Sequence, residues 1–162
     1  MLIVLTGTSS SGKTTLARAI VAAADRPMLH FEADRIVPAL GLSSGLPDEY
    51  RVRFIRTLHE AIGALGRTLD VIVDGSLPNE SILRDECIAI LREVPGTRVI
   101  AVRCSTDELR RREATRQNRI AGWAEEQAQT LYDNQQFDLE VDTSELSVGD
   151  CARTVVELVF RL

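Results

Sequence analysis

Leu2-Ile3-Val4-Leu5-Thr6 runs directly into Gly7-Thr8-Ser9-Ser10-Ser11-Gly12-Lys13-Thr14, and the fold is read outward from this stretch. The first five residues are an apolar, partly β-branched run that predicts a buried strand. The next eight match GxxxxGK[ST], a pattern expected by chance in about one chain in a hundred of this length given average residue usage. Thr14, Thr15, Leu16, Ala17, Arg18, Ala19 and Ile20 then predict a helix. Strand, glycine-rich loop and helix in that order form the context in which the motif has a mechanism. Glycines at 7 and 12 let the chain turn tightly and approach phosphates closely, while backbone N–H groups and the helix N-terminus supply partial positive charge. Lys13 is expected to reach the β and γ oxygens of a nucleoside triphosphate, and the Thr14 hydroxyl to take a Mg²⁺ position.

Further apolar runs at Met28 to Phe31, Val71 to Val73, Val99 to Arg103 and Leu139 to Val141 alternate with helical patterns. Such alternation predicts βαβ units, and runs apolar on both faces predict a parallel sheet covered by helices. The fold class is three-layer α/β in a single domain spanning 1–162. Tyr50, Phe54, Leu58, Ile62 and Leu65 form one helical stripe, and Val148, Cys151, Val155 and Val159 another, each expected to pack on the sheet. Asp48 and Ser81 are candidate helix caps. Val71-Ile72-Val73 ends in Asp74, the carboxylate expected to share the metal with Thr14.

Composition bounds the function classes. With 44% apolar and 27% charged residues, the 162-residue chain is of ordinary globular make-up. A net charge of −5 argues against a general nucleic-acid surface, which needs a surplus of Lys and Arg. The N-terminal apolar run is too short for a signal peptide, and no run is long enough to span a bilayer. Cys87, Cys104 and Cys151 have no metal-ligand spacing and read as packing thiols of a cytoplasmic protein. Oligomeric state is not encoded in any pattern here.

Five arginines fall within ten residues at Arg110, Arg111, Arg112, Arg116 and Arg119. Arg112, Arg116 and Arg119 share a helical face suited to phosphates, so a lid is expected at about 110–123, hinged near Gly122. The alternative is a solvated helix in which Glu108 pairs with Arg112. The loop from Gly41 to Pro47 is either a substrate-contacting segment or a plain connector. Arg103-Cys104-Ser105-Thr106 stands where GTPases carry their guanine-reading element, which argues against guanine specificity.

With Phe31-Glu32-Ala33-Asp34, Val102-Arg103-Cys104, Ala121-Gly122, Gln127 and Phe137-Asp138-Leu139-Glu140-Val141-Asp142-Thr143 added to these motifs, the chain resembles the chloramphenicol phosphotransferase-like family of P-loop kinases along nearly its whole length. The resemblance implies a nucleoside-monophosphate-kinase-like fold with parallel strands ordered 2-3-1-4-5. It also implies transfer of the γ-phosphate of ATP, with Mg²⁺, to a hydroxyl of a small molecule. Asp34 matches the catalytic base, Arg116 and Arg119 the lid arginines beside the triphosphate, and Asp142-Thr143-Ser144 the segment at the adenine edge. The expected nucleotide-binding set is Gly7, Thr8, Ser9, Ser10, Ser11, Gly12, Lys13, Thr14, Thr15, Arg112, Asp142 and Thr143. Lys13, Asp34, Arg116 and Arg119 are the expected catalytic residues, and Thr14 and Asp74 the expected metal ligands. Two rivals stay open: a nucleoside or nucleotide kinase in which Arg51, Arg53 and Arg56 bind an acceptor phosphate, and a regulatory module that binds ATP without transferring phosphate.

Overall fold

The computed structural model describes residues 1–39, 47–75, 77–114, 131–132 and 135–160. The five apolar runs form strands β1 (Leu2–Thr6), β2 (Leu29–Glu32), β3 (Val71–Asp74), β4 (Arg98–Arg103) and β5 (Leu139–Asp142), all parallel in one sheet ordered β2-β3-β1-β4-β5. Six helices are described: α1 (Lys13–Ala23), α2 (Ala33–Ala39), α3 (Asp48–Thr68), α4 (Ser81–Arg92), α5 (Thr106–Ala114) and α6 (Val148–Phe160). Among the described residues no helix is long and apolar enough to cross a membrane.

Alternation along each strand splits the core into two layers. Ile3, Leu5, Ile72, Ile100 and Val102 point to one face, where Leu16, Ala17 and Ile20 of α1 and Cys151, Ala152 and Val155 of α6 cover them. Leu2, Val4, Val71, Val73 and Val99 point to the other, under Ile62 of α3 and Ile88 and Leu91 of α4. Because both faces are buried, the central strands carry no polar alternation, which is the sequence signature of a covered parallel sheet. Parallel strands also deliver their carboxyl ends to one edge. Glu32 lies in register with Asp74, and Arg103 with Asp142.

Three local expectations need correction. Asp48 and Ser81 are the first helical residues rather than caps, the flanking Pro47 and Glu80 holding the cap positions without a side-chain bond. The α3 stripe divides: Ile62 reaches the core, but Tyr50 is 46% exposed, and Phe54 and Leu58 are only half-buried. In the sheet-facing part of α3 the buried residues are His59, Ile62, Gly63 and Gly66, so small side chains allow the helix to approach β1 closely.

His59 is fully buried, with its Nδ1 2.7 Å from the Ile55 carbonyl oxygen and its Nε2 without a partner. Burial lowers its pKa below the usual 6.5, against a smaller opposing effect of the Ile55 hydrogen bond. The unfolded chain therefore takes up this proton at higher pH than the folded one. The stability contributed by neutral His59 is complete above pH 6.5 and is lost as pH falls through that value toward the folded pKa. His59→Leu is expected to flatten this part of the stability curve. Urea midpoints measured from pH 7.5 down to 5 in both proteins check it, and parallel curves would contradict it.

Candidate functional site

The loop after β1 is held in an unusual shape by its own residues and its neighbours. At Gly12 φ is 95°, which starts α1 from the left-handed region that favours glycine, and Ser10 also has φ 61°. Gly7 is required for a different reason: a Cβ there would sit 2.5 Å from the Val102 carbonyl oxygen at the end of β4. Thr8, Ser9, Ser10 and Ser11 are all buried. Lys13 curls back over the loop and donates from Nζ to the carbonyl oxygens of Gly7 at 2.7 Å and Thr8 at 2.6 Å.

A depression opens along this loop, lined by Ser9, Ser10, Gly12, Lys13, Thr14, Thr15, Asp34, Asp74 and Gly75. The sheet order brings them together, because β3 lies beside β1 and ends at Asp74, and α2 begins one residue after β2. Asp74 is 2% exposed. Burial pushes its carboxyl up, but hydrogen bonds from His30 and Thr14 and the charges of His30 and Lys13 together hold it below the usual range. Its Oδ2 and the Ser10 hydroxyl are buried without a hydrogen-bond partner. Orphaned polar atoms of this kind are expected where a group is to be received. A carboxylate oxygen beside a threonine hydroxyl suits Mg²⁺, which takes few protein ligands and keeps its waters. The residues thus fit a phosphate and a magnesium ion.

Asp34 lies in the first turn of α2, since β2 stops at Glu32, two residues short of it. It is exposed, and its Oδ1 lies 3.1 Å from where a Cβ on Gly75 would be. Helix α2 already starts at Ala33, so Asp34 does not occupy the cap position. Beyond it runs a second cleft, lined by Ala33, Asp34, Val37, Pro38, Phe54, Ile55, Leu58 and Gly75. The half-buried part of the α3 stripe forms its wall.

Arg112 and Thr143 stand behind the loop and do not line the depression. The Arg112 guanidinium donates to the Ser10 carbonyl at 3.3 Å, to Thr143 Oγ1 at 3.0 Å and to the Thr143 carbonyl at 2.9 Å. Its Nε bonds Glu108 at 2.7 Å, so the expected Glu108–Arg112 pair is present but serves a larger network. Arg111 and Arg112 together hold the half-buried Glu108 carboxyl at about 2. Thr143 Oγ1 donates to the Ser11 carbonyl at 2.7 Å. Asp142 spends its carboxylate on the turn, accepting from Ser144 N at 2.7 Å. Arg116, Arg119, Gly122, Trp123 and the loop from 41 to 46 lie outside the described residues.

Two contacts had no signal in the sequence. Tyr132 accepts from Thr8 N at 3.4 Å and donates to the Val102 carbonyl at 3.0 Å, under the Arg103 guanidinium at 3.8 Å from its ring centroid. His30 Nε2 lies 3.3 Å from Asp74 Oδ1. Neither partner is a neighbour in sequence, so no spacing reveals them. Thr143→Val keeps the side-chain volume but strips the Ser11 carbonyl of its donor and Arg112 of an acceptor. It is expected to cost about 1–3 kcal/mol, read as a lower denaturation midpoint, and a parental midpoint would show that the clamp contributes nothing.

The fold is shared with P-loop kinases. The tunicamycin resistance protein of Deinococcus radiodurans superposes with a TM-score of 0.73 at 18% identity, over 98% of this chain and 95% of that one. The APS kinase of Mycobacterium tuberculosis, solved in complex with AMPPNP and APS, gives 0.71 at 17% identity over 97% and 95%. A gluconokinase from Sinorhizobium meliloti gives 0.62 at 22% identity over 98% and 91%. No curated protein matches the sequence significantly. The model of the chloramphenicol phosphotransferase-like protein family matches residues 1–159, and the chain belongs to that family.

Proposed function

We propose that this protein transfers the γ-phosphoryl group of ATP to a hydroxyl of a small, uncharged molecule with an apolar body. One observation carries the reading: among the described residues, Asp34 is the only side chain common to the polar depression at the phosphate loop and the apolar cleft beside it, Gly75 being the other shared residue. A hydroxyl attached to a molecule in the cleft thus meets a carboxylate on its way to the loop.

The roles follow from charge and placement. The loop N–H groups and the start of α1 offer partial positive charge to phosphate oxygens, and Lys13 adds a full one. Mg²⁺, when bound, would neutralise charge developing on the β and γ oxygens; Thr14 and Asp74 are the residues that would hold it. Asp34 orients the acceptor hydroxyl and takes its proton. Arg112 and Thr143 hold the loop from behind, and with Asp142 they are proposed to contact the nucleotide from that side. Arg116 and Arg119 are proposed to close over the triphosphate as arginine fingers supplied in cis.

The cleft favours an apolar acceptor over a phosphorylated one. Asp34 is the only charged side chain among its described lining residues. The arginines that would serve a nucleotide acceptor are engaged elsewhere: Arg51 with Glu80 at 2.9 Å, Arg56 with Glu86 at 2.7 Å, and Arg53 over the Tyr50 ring. Burying apolar acceptor surface in this cleft contributes roughly 25 cal/mol per Å².

Incubation with ATP, Mg²⁺ and a metabolite library, read by mass spectrometry, is expected to add one phosphoryl group to neutral alcohols with aromatic or aliphatic bodies. Phosphorylation of nucleoside monophosphates or sugar phosphates alone would overturn the acceptor class. ATP binding with no product from any library member would favour the regulatory module.

With a responsive acceptor, Asp34→Asn is expected to keep the parental melting temperature and ATP affinity while turnover falls about 10²-fold or more. Undiminished turnover would remove Asp34 from the chemistry.

A further inference from the structure

We propose that His30 is a positioning residue for the metal site: its imidazole N–H fixes one oxygen of Asp74 and leaves the other for a divalent cation. The inference rests on the phosphotransferase reading only in requiring a metal–nucleotide complex at the loop.

The placement begins in the strand. Phe31 points into the core layer with Val71 and Val73, so His30 and Glu32 fall on the opposite face of β2, where Arg18 of α1 reaches Glu32 at 3.1 Å. In the β2–β3 register His30 sits beside Ile72, and Glu32 beside Asp74. The imidazole therefore leans along the strand by two residues to meet Asp74 Oδ1 at 3.3 Å. Both side chains are largely shielded, 16% and 3% exposed. A carboxylate has only acceptors to offer, so the attractive arrangement has the hydrogen on Nε2.

A purely structural pair would be expected to saturate a carboxylate this deeply buried. Here Oδ1 meets His30, the Thr14 hydroxyl also bonds the carboxyl, and Oδ2 has no hydrogen-bond partner although it is buried. Asp74 lines the same depression as Thr14. Half of the carboxylate is thus anchored by the protein, and half is left at a site whose other residues suit Mg²⁺. Partners of this kind behind ligating carboxylates typically change metal affinity 10–100-fold.

The test measures metal binding rather than turnover, at pH 8, above the ordinary range of histidine titration. Mn²⁺ binding in the presence of ADP is followed by electron paramagnetic resonance for the parent, His30→Ala and His30→Gln. ADP binding in EDTA and melting temperatures are measured alongside. His30→Ala is expected to weaken Mn²⁺ binding about 10–100-fold with metal-free ADP binding and melting temperature unchanged. His30→Gln, which retains an N–H donor at similar reach, is expected to recover most of the affinity. Parental Mn²⁺ affinity in His30→Ala would overturn the proposal while leaving the phosphotransferase reading intact. A parent that binds no Mn²⁺ with ADP would remove the metal site itself, and the proposal with it. An equal fall in metal-free ADP binding and melting temperature in both variants would reduce His30 to a packing role.

Discussion

The site depends on keeping a buried polar loop open. Residues 8 to 11 bring four hydroxyl side chains into the protein, and the Oγ atoms of Thr8, Ser10 and Ser11 have no hydrogen-bond partner there. Left to itself, such a loop would be expected to relax toward internal hydrogen bonds or toward solvent, since each unmet buried polar group costs about 1–3 kcal/mol. It is held from outside instead. Gly7 is pressed on the end of β4, Tyr132 accepts from Thr8 N, Arg112 and Thr143 grip the Ser10 and Ser11 carbonyls, and Lys13 bridges those of Gly7 and Thr8. Apart from Tyr132, which precedes β5, these supports come from a strand end, a following turn or a helix.

That geometry explains why the supports are spread through the chain. A parallel sheet gathers its carboxyl ends at one edge whatever the order of its strands. The order decides which ends are neighbours: β1 lies between β3 and β4, so the loop is flanked by Asp74 on one side and Val102 and Arg103 on the other. Charge follows the same division. The β3 side carries the carboxylates Asp74 and Asp34, suited to a cation and to a hydroxyl proton. The β4–β5 side carries Arg103 and Arg112, which brace the protein itself through Tyr132, Ser10 and Thr143.

Function on this reading is a matter of adjacency. The fold is shared with enzymes whose names include APS kinase and gluconokinase, so the fold alone does not choose an acceptor. Selection falls to the groove between α2 and α3, where Val37, Pro38, Phe54, Ile55 and Leu58 present apolar surface next to one carboxylate. Among the described lining residues only Asp34 has a charged side chain to offer a polyol's several hydroxyls, so most would lose water without regaining hydrogen bonds, a cost an apolar body does not bear.

Much was legible in the chain by itself. The strand runs were, because residues buried on both faces leave an unbroken apolar record; the phosphate loop was, because its glycines, lysine and threonine act through local backbone geometry at fixed spacing. Asp74 and Asp34 were legible as carboxylates following strands, and strand order came from family resemblance. What only the tertiary structure decided are contacts between distant elements. The α3 stripe reads the same whether it meets the sheet or a cleft, and the packing sends Ile62 to the core, sets Leu58 between core and groove and leaves Phe54 on the groove. Arg112 has the spacing of a phosphate ligand, and the fold adds what spacing cannot show, contacts of its guanidinium with the Ser10 carbonyl of the loop and the Thr143 carbonyl after β5. His30, a plain strand histidine in sequence, reaches Asp74 because β2 and β3 pair in one register rather than another. Periodicity and motif record what a residue does within its own element; register and packing, which join elements far apart in the chain, leave no local mark.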